Sequence, residues 1–298
     1  SGTSLPEQRF LTWDDGVTKE RWPLFYHGDL LKMRCNSVLG SVVEHGRTSF
    51  RVFAPRANAV TLSLSVEPGK QRYEEHSMMP EPDGSWSIAM DEALTGHFYR
   101  YFVFGENNDD SMAFDSSKPV LDPYAKATVS REGPGIIVSP NHLRGPSHRF
   151  EPPSMAELII VEAHLRDLTA TSPLPLGNVD RLGFSGLAKW ALDKGNYLRS
   201  LGVNAIELQP LQEFANHTPE EYHWGYMPVN YFAPSSAYSS KPSTASGIEE
   251  FRLVVKAFHD AGIAVLVDVV YNHVGLPAHL ALLDKTYYFD HDESLEPR

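Results

Sequence analysis

The sequence predicts a multidomain chain in which an N-terminal β-sandwich is followed by the first β/α units of a (β/α)8 TIM barrel. Period-two alternation of apolar and polar residues between positions 41 and 127 predicts the sandwich. Continuous apolar runs separated by helically spaced stripes after Met155 predict parallel β/α units. A Gly- and Pro-rich stretch with little periodic hydrophobicity lies between them and marks a connector.

In the first half, Arg51-Val52-Phe53, Val60-Thr61-Leu62-Ser63-Leu64-Ser65-Val66 and Trp86-Ser87-Ile88-Ala89-Met90 have the pattern of half-buried strands. Ala54-Pro55-Arg56, Pro68-Gly69 and Pro82-Asp83-Gly84 punctuate them as turns. Short strands at this spacing build a sandwich that buries its own faces, so this part is expected to fold by itself. Trp86 alternates with Ile88 and Met90 and is expected in its core. Phe98-Tyr99-Arg100-Tyr101-Phe102-Val103-Phe104 places aromatic residues on both faces of a strand covered from both sides. Trp13, Trp22, Phe25 and Tyr26 make the start of the chain too aromatic for a loose tail, and packing against a domain is expected.

In the second half, Leu158-Ile159-Ile160-Val161 reads as a strand buried on both faces. Leu187, Trp190, Ala191, Leu198 and Leu201 recur at helical spacing and Gly202 stops that helix. A second strand spans 203–208. Ile248, Phe251, Val254, Val255 and Phe258 form another helical stripe ending at Gly262, followed by a third strand, Ile263-Ala264-Val265-Leu266-Val267. The expected division is 1–36 as an N-terminal segment, 37–130 as the sandwich, 131–155 as the linker and 156–298 as an incomplete N-terminal part of the barrel. A closed barrel needs eight strands in about 250 residues. Three strands leave an apolar edge, and the remainder is expected on a longer chain or on a second piece bound to this one.

Composition narrows the function. A net charge of −12 with scattered basic residues lacks the footprint of phosphate-backbone binding, so nucleic acid is not expected as a partner. No apolar run is long enough to span a membrane, and the first residues have no export-signal pattern. The single cysteine, Cys35, excludes an internal disulfide framework and fits a cytoplasmic location. The histidines nowhere show a metal-ligand spacing, so no metal or cofactor is expected from them.

In β/α barrels the functional groups lie at the C-terminal ends of strands. Glu162, His164, Arg166 and Asp167 follow the first strand, Glu207 and Gln209 end the second, and Asp268-Val269-Val270-Tyr271-Asn272-His273 follows the third. The long connection 210–246 carries Tyr222-His223-Trp224-Gly225-Tyr226-Met227-Pro228 and Tyr231. Flat aromatic faces of this kind suit the C–H surface of sugar rings.

Asp268-Val269-Val270-Tyr271-Asn272-His273 resembles the first signature region of the α-amylase superfamily, the family 13 glycoside hydrolases. Val161-Glu162-Ala163-His164-Leu165-Arg166-Asp167-Leu168-Thr169, Leu201-Gly202-Val203-Asn204-Ala205-Ile206-Glu207-Leu208-Gln209-Pro210 and Trp224-Gly225-Tyr226-Met227-Pro228-Val229-Asn230-Tyr231-Phe232-Ala233-Pro234 are similar to the same family in the same order. Phe50-Arg51-Val52-Phe53-Ala54-Pro55-Arg56-Ala57, Asp83-Gly84-Ser85-Trp86 and Gly96-His97-Phe98-Tyr99-Arg100-Tyr101 resemble the family 48 carbohydrate-binding module that precedes the barrel in debranching and branching enzymes. Asp122-Pro123-Tyr124-Ala125-Lys126-Ala127 is similar to a stretch of pullulanases and isoamylases. The resemblance covers about residues 38 to 290.

It implies an α-glucan debranching glycoside hydrolase of isoamylase or pullulanase type, retaining in mechanism, with an α-glucan polysaccharide or oligosaccharide as partner. Tyr226 would be the platform under the glucose at the cleaved position, with Trp224 beside it, and His273 would hydrogen-bond that sugar. Asp268 would support the site. Asn272 matches a structural position that contacts the ion in calcium-containing members. Met227 departs from the Asp of many pullulanase-type relatives. The family's nucleophile and acid/base follow later strands and are expected beyond Arg298, so Glu162 and Glu207 are read as structural although retaining enzymes do use two carboxyl groups about 5 to 5.5 Å apart. The same architecture serves α-glucan branching enzymes and maltooligosyl-trehalose trehalohydrolases. A reading of another class is a non-catalytic glucan-binding protein.

Overall fold

The computed structural model describes residues 9–24, 32–69, 73–105, 114–144 and 148–289. Its first element is an antiparallel hairpin, β1 (Arg9–Asp14) and β2 (Lys19–Leu24). Asp15 closes the turn, its Oδ1 accepting the Val17 and Thr18 amides. Trp13 is half exposed on this hairpin; the side chain of Trp22 and the whole of Phe25 and Tyr26 lie outside the described residues.

Eight strands follow in two antiparallel sheets. They are β3 (Gly40–Glu44), β4 (Arg47–Phe53), β5 (Ala59–Ser65), β6 (Glu74–Ser77), β7 (Met79–Pro80), β8 (Ser85–Met90), β9 (Phe98–Phe104) and β10 (Gly135–Ile136). One sheet has the order β3-β4-β8-β7 and the other β10-β9-β5-β6. Alternate residues from both, among them Phe50, Val52, Leu62, Trp86, Tyr99, Tyr101 and Val103, fill one core. Each such side chain contributes roughly 1.5–3 kcal/mol by leaving water. Trp86 is in this core, its indole N–H donating to the Ala54 carbonyl at 3.1 Å. The outer residues of β9 are only partly covered, with Phe104 exposed.

The second half contains a parallel three-stranded sheet, β11 (Ile160–Ala163), β12 (Ala205–Leu208) and, after an antiparallel pair β13 (Gln212–Phe214) and β14 (Pro228–Pro234), β15 (Ala264–Val267). Its order is β11-β12-β15. Helices α1 (Leu165–Ala170), α2 (Asn178–Leu182), α3 (Phe184–Leu192) and α4 (Tyr197–Ser200) lie in the first crossover, and α5 (Ser246–Asp260) in the second. The stripe expected as one helix from Leu187 to Leu201 is interrupted: Asp193 is extended, and the Asn196 side chain caps a new turn by accepting from Leu198 N–H. Leu165, Phe184, Leu187, Trp190, Ile206, Leu208, Val254 and Phe258 make the core beneath this sheet. Ile159 and Ile160 at one edge and Leu266 and Val267 at the other remain exposed.

The sandwich does not close on itself. The segment α6 (His279–Tyr288), reached after β15, lays Leu283 into the sandwich core, with Leu280, Leu282 and Tyr288 packed against it. Asp284 is extended (φ −166°, ψ 92°) and fully buried, so it leaves the helix where its carboxylate turns to the Arg56 guanidinium at 2.8 Å. His279 is equally buried: its Nδ1 accepts the Leu121 amide at 3.2 Å and its Nε2–H donates to the Arg131 carbonyl at 2.9 Å. Burial lowers the His279 pKa, and the neutral ring is the form these two bonds require.

Candidate functional site

The site begins at the end of β12. Pro210 ends the strand, and the connection from β13 to β14 must turn back over the sheet. Gly225 allows this turn: its φ is +89° and a Cβ there would stand 2.5 Å from the Pro210 carbonyl oxygen. The His223 ring stacks on Phe214 at 4.9 Å and its Nδ1 accepts the Gly225 amide at 2.9 Å. Tyr226, the next residue, is thereby delivered to the end of the sheet.

There Tyr226 meets the segment after β15. Its hydroxyl donates to Asp268 Oδ2 at 2.7 Å, and its carbonyl accepts from His273 Nε2–H at 2.6 Å. Desolvation, the bond to Asp268 and the nearby charges of Asp268, Glu162 and Glu207 push the phenol pKa up, so the hydroxyl stays protonated and acts as donor. Asp268 itself is placed by parallel pairing, its amide donating to the Leu208 carbonyl at 3.0 Å. Tyr231 O–H donates to the His273 carbonyl at 3.2 Å and its ring lies 5.3 Å from Tyr271.

Three of the four residues expected to bind substrate, Tyr226, Asp268 and His273, are thus joined by direct hydrogen bonds. Trp224 is two residues from Tyr226 and exposed at the same loop. Asn272 is exposed on the turn before His273. Glu162 and Glu207 lie opposite one another on β11 and β12, and Glu162 Oε1 accepts from Gln209 Nε2 at 3.0 Å. Exposed Met227 gives its carbonyl to the Ala215 amide at 2.9 Å. No group of three or more His, Cys, Asp or Glu arranged for a metal occurs among the described residues.

Two further carboxyls, Glu213 and Asp122, are fully buried. Glu213 on β13 is fully buried and accepts from the Ser236 amide at 2.6 Å and the Ser236 hydroxyl at 2.8 Å. Burial lifts its pKa to about 7. Asp122 accepts from the Tyr99 and Tyr101 hydroxyls at 2.8 and 3.3 Å and from the Tyr124 amide at 2.9 Å, and burial raises its pKa to about 6. Its carbonyl receives Asn230 Nδ2–H at 2.9 Å. Tyr124 stacks on Phe232 at 5.3 Å, and Lys126 lies over the same ring at 4.3 Å. The stretch 122–127 therefore joins the sandwich to β14.

Residues 38–125 match the family described as carbohydrate-binding module 48 (isoamylase N-terminal domain). The chain is 29% identical over 272 residues to a pullulanase of Bacillus subtilis (strain 168), covering 86% of this chain and 36% of the relative. It is 32% identical over 272 residues to chloroplastic isoamylase 3 of Oryza sativa subsp. japonica, covering 79% of this chain and 34% of the relative. Among solved structures, the pullulanase of Anoxybacillus sp. LM18-11 complexed with maltotriose superposes with a TM-score of 0.78 at 25% identity, over 94% of this chain and 42% of that one. The chain spans about a third of the length of the curated relatives it matches.

Proposed function

We propose, from a chain whose residues 38–125 belong to the carbohydrate-binding module 48 family, that this protein is the N-terminal part of an α-glucan debranching glycoside hydrolase. Its target would be the α-1,6 branch linkages of glycogen, starch or pullulan. The sheet β11-β12-β15 is then the opening of a (β/α)8 barrel, and further strands cover Ile159, Ile160, Leu266 and Val267. Two findings support this: the parallel order of the three strands and the apolar residues left exposed at its two edges.

The observation that carries the reading is Tyr226 fixed at both ends, by Asp268 at its hydroxyl and by His273 at its carbonyl. A phenol held this way cannot swing, so its ring face is set in advance to receive the apolar side of a glucose unit. His273 retains Nδ1 for a sugar hydroxyl, and Trp224 offers a second face. Retaining cleavage needs one carboxylate to attack the anomeric carbon and a second carboxyl group to protonate the leaving oxygen. Glu162 and Asp268 are already committed to Gln209 and Tyr226. The family resemblance assigns the reacting pair to later strands, outside residues 1–298, and in this reading this chain supplies platform and hydrogen bonds.

Titration of the chain with maltotriose and maltotetraose, followed by nuclear magnetic resonance of the Tyr and Trp rings, tests the platform. Binding that Tyr226→Ala removes is expected; binding unaffected by it would overturn the assignment. Products formed from pullulan, amylose and glycogen by the chain joined to the C-terminal portion test the reaction. Released linear chains indicate debranching, new branches a branching enzyme, and no turnover a glucan-binding protein.

A further inference from the structure

Arg166 is buried, yet among the described residues no carboxylate pairs with it. Its Nε–H donates to the Leu182 carbonyl at 3.1 Å, one terminal nitrogen donates to the Glu221 carbonyl, and the other donates to the Pro219 and Ala237 carbonyls. The guanidinium also lies 5.1 Å from the centre of the Tyr238 ring. Burial lowers its pKa, and these oxygens, that ring and the nearby charge of Glu220 offset the cost of a buried cation.

Its neighbours hold the same loop. His164 Nδ1 accepts the Arg166 amide at 3.2 Å, which makes Nε2 the protonated nitrogen; Nε2–H points to the His223 carbonyl at 3.1 Å, with the Tyr238 hydroxyl 3.0 Å away. Asp167 accepts the Tyr222 hydroxyl at 2.9 and 3.0 Å. The turn after β11 thus grips residues 219–223 at four points, immediately before Trp224, Gly225 and Tyr226. The planar fork of five N–H donors reaches four carbonyls at once, more acceptors than the three donors of a lysine ammonium can serve.

We propose that Arg166, with His164 and Asp167 beside it, is a positioning residue that sets Trp224 and Tyr226 at the mouth of the sheet without touching glucan itself. This rests on the platform reading above. The residues between the clamp and Tyr226 leave little slack: His223 is stacked on Phe214, and Gly225 is pressed on Pro210. Loosening residues 219–223 therefore moves the aromatic faces directly.

The test is amide hydrogen exchange of residues 215–227 in the whole chain, measured beside maltotetraose affinity. In Arg166→Lys, exchange in this loop should rise about tenfold or more while the sandwich strands are unchanged, because only the local opening is made easier. Affinity should fall about fivefold or more by the same loss of preorganisation. In Arg166→Ala, added guanidinium should restore loop protection and affinity together, a response that general destabilisation would not give. Should Arg166→Ala fail to fold, Tyr222→Phe, which removes one grip, should show a smaller rise in the same loop. Unchanged exchange in both Arg166→Lys and Tyr222→Phe overturns the proposal. A wild-type chain that binds no malto-oligosaccharide refutes the platform reading, while the exchange result still decides whether the clamp holds the loop.

Discussion

Tyr226 and Asp268, 42 residues apart, are joined by a 2.7 Å hydrogen bond between the loop that follows β12 and the segment that follows β15. The bond separates two roles of one side chain. Tyr226→Phe keeps the ring and loses the hydroxyl that tethers it, so stability should fall by about 1 kcal/mol and malto-oligosaccharide affinity should fall only a few-fold through the lost preorganisation. Tyr226→Ala loses the face as well; at about 1–3 kcal/mol, by analogy with stacking on bases, affinity should drop roughly tenfold to a hundredfold. Equal losses for the two variants, read by calorimetry, would show that the hydroxyl rather than the ring is what matters.

Gly225 should tolerate no side chain. Gly225→Ala meets both an unfavourable φ and the Pro210 carbonyl oxygen, which together should cost about 2 kcal/mol or more. The loss should appear as a lower thermal midpoint and faster exchange at residues 222–227.

Glu213 makes stability depend on pH. Its folded pKa of about 7 lies above the ordinary 4.5, so between those values the folded state keeps a proton that the unfolded state has released. Stability is full below about 4.5 and falls as pH rises through 7, by at most roughly 3 kcal/mol. Asp122 adds a similar fall between 3.8 and about 6. His279 works in the opposite direction, losing stability as pH drops below 6.5. Glu213→Gln isolates the first effect: its urea midpoint, compared with wild type at pH 5 and pH 8, should show a markedly flatter pH dependence.

The Arg56–Asp284 pair should be costly to break from one side. Burial already raises the Asp284 pKa despite the guanidinium beside it. Arg56→Met leaves that carboxylate buried and unpaired, a loss of about 3–5 kcal/mol. The penalty, measured by denaturant unfolding, should shrink in acid as Asp284 takes up a proton.

A fragment ending near Ser130 lacks Leu283 in its core and the partner of Arg56. Such a fragment should bind a hydrophobic dye and melt well below the whole chain, and a peptide spanning 277–289 should restore part of the lost stability. An unassisted cooperative melt at the temperature of the intact protein would show that α6 is dispensable.

Much of this fold was legible. Alternation in 51–53 and 86–90 marked strands of one sheet, because it follows which face is buried, and the apolar runs marked β11, β12 and β15, although the expected burial on both faces fails at the exposed Ile159, Ile160, Leu266 and Val267. The Tyr226, Asp268 and His273 constellation was legible through its motifs. What stayed hidden depends on pairing between distant segments. His279 and Asp284 look like ordinary polar residues of an amphipathic helix until Leu121, Arg131 and Arg56 are set against them. Glu213 and Arg166 are likewise defined by carbonyls, amides and hydroxyls contributed from elsewhere, which no local pattern announces.

Leu283 completes a core whose other buried members end at Ile137, and Arg56 waits 228 residues for Asp284. On a ribosome the sandwich strands emerge first, so for the time needed to make the next hundred and more residues, at about 5–20 residues per second, the apolar site for Leu283 stands open. The sandwich, made before α6, is thus finished only after it, and during this stretch of translation its open apolar surface is exposed to other chains.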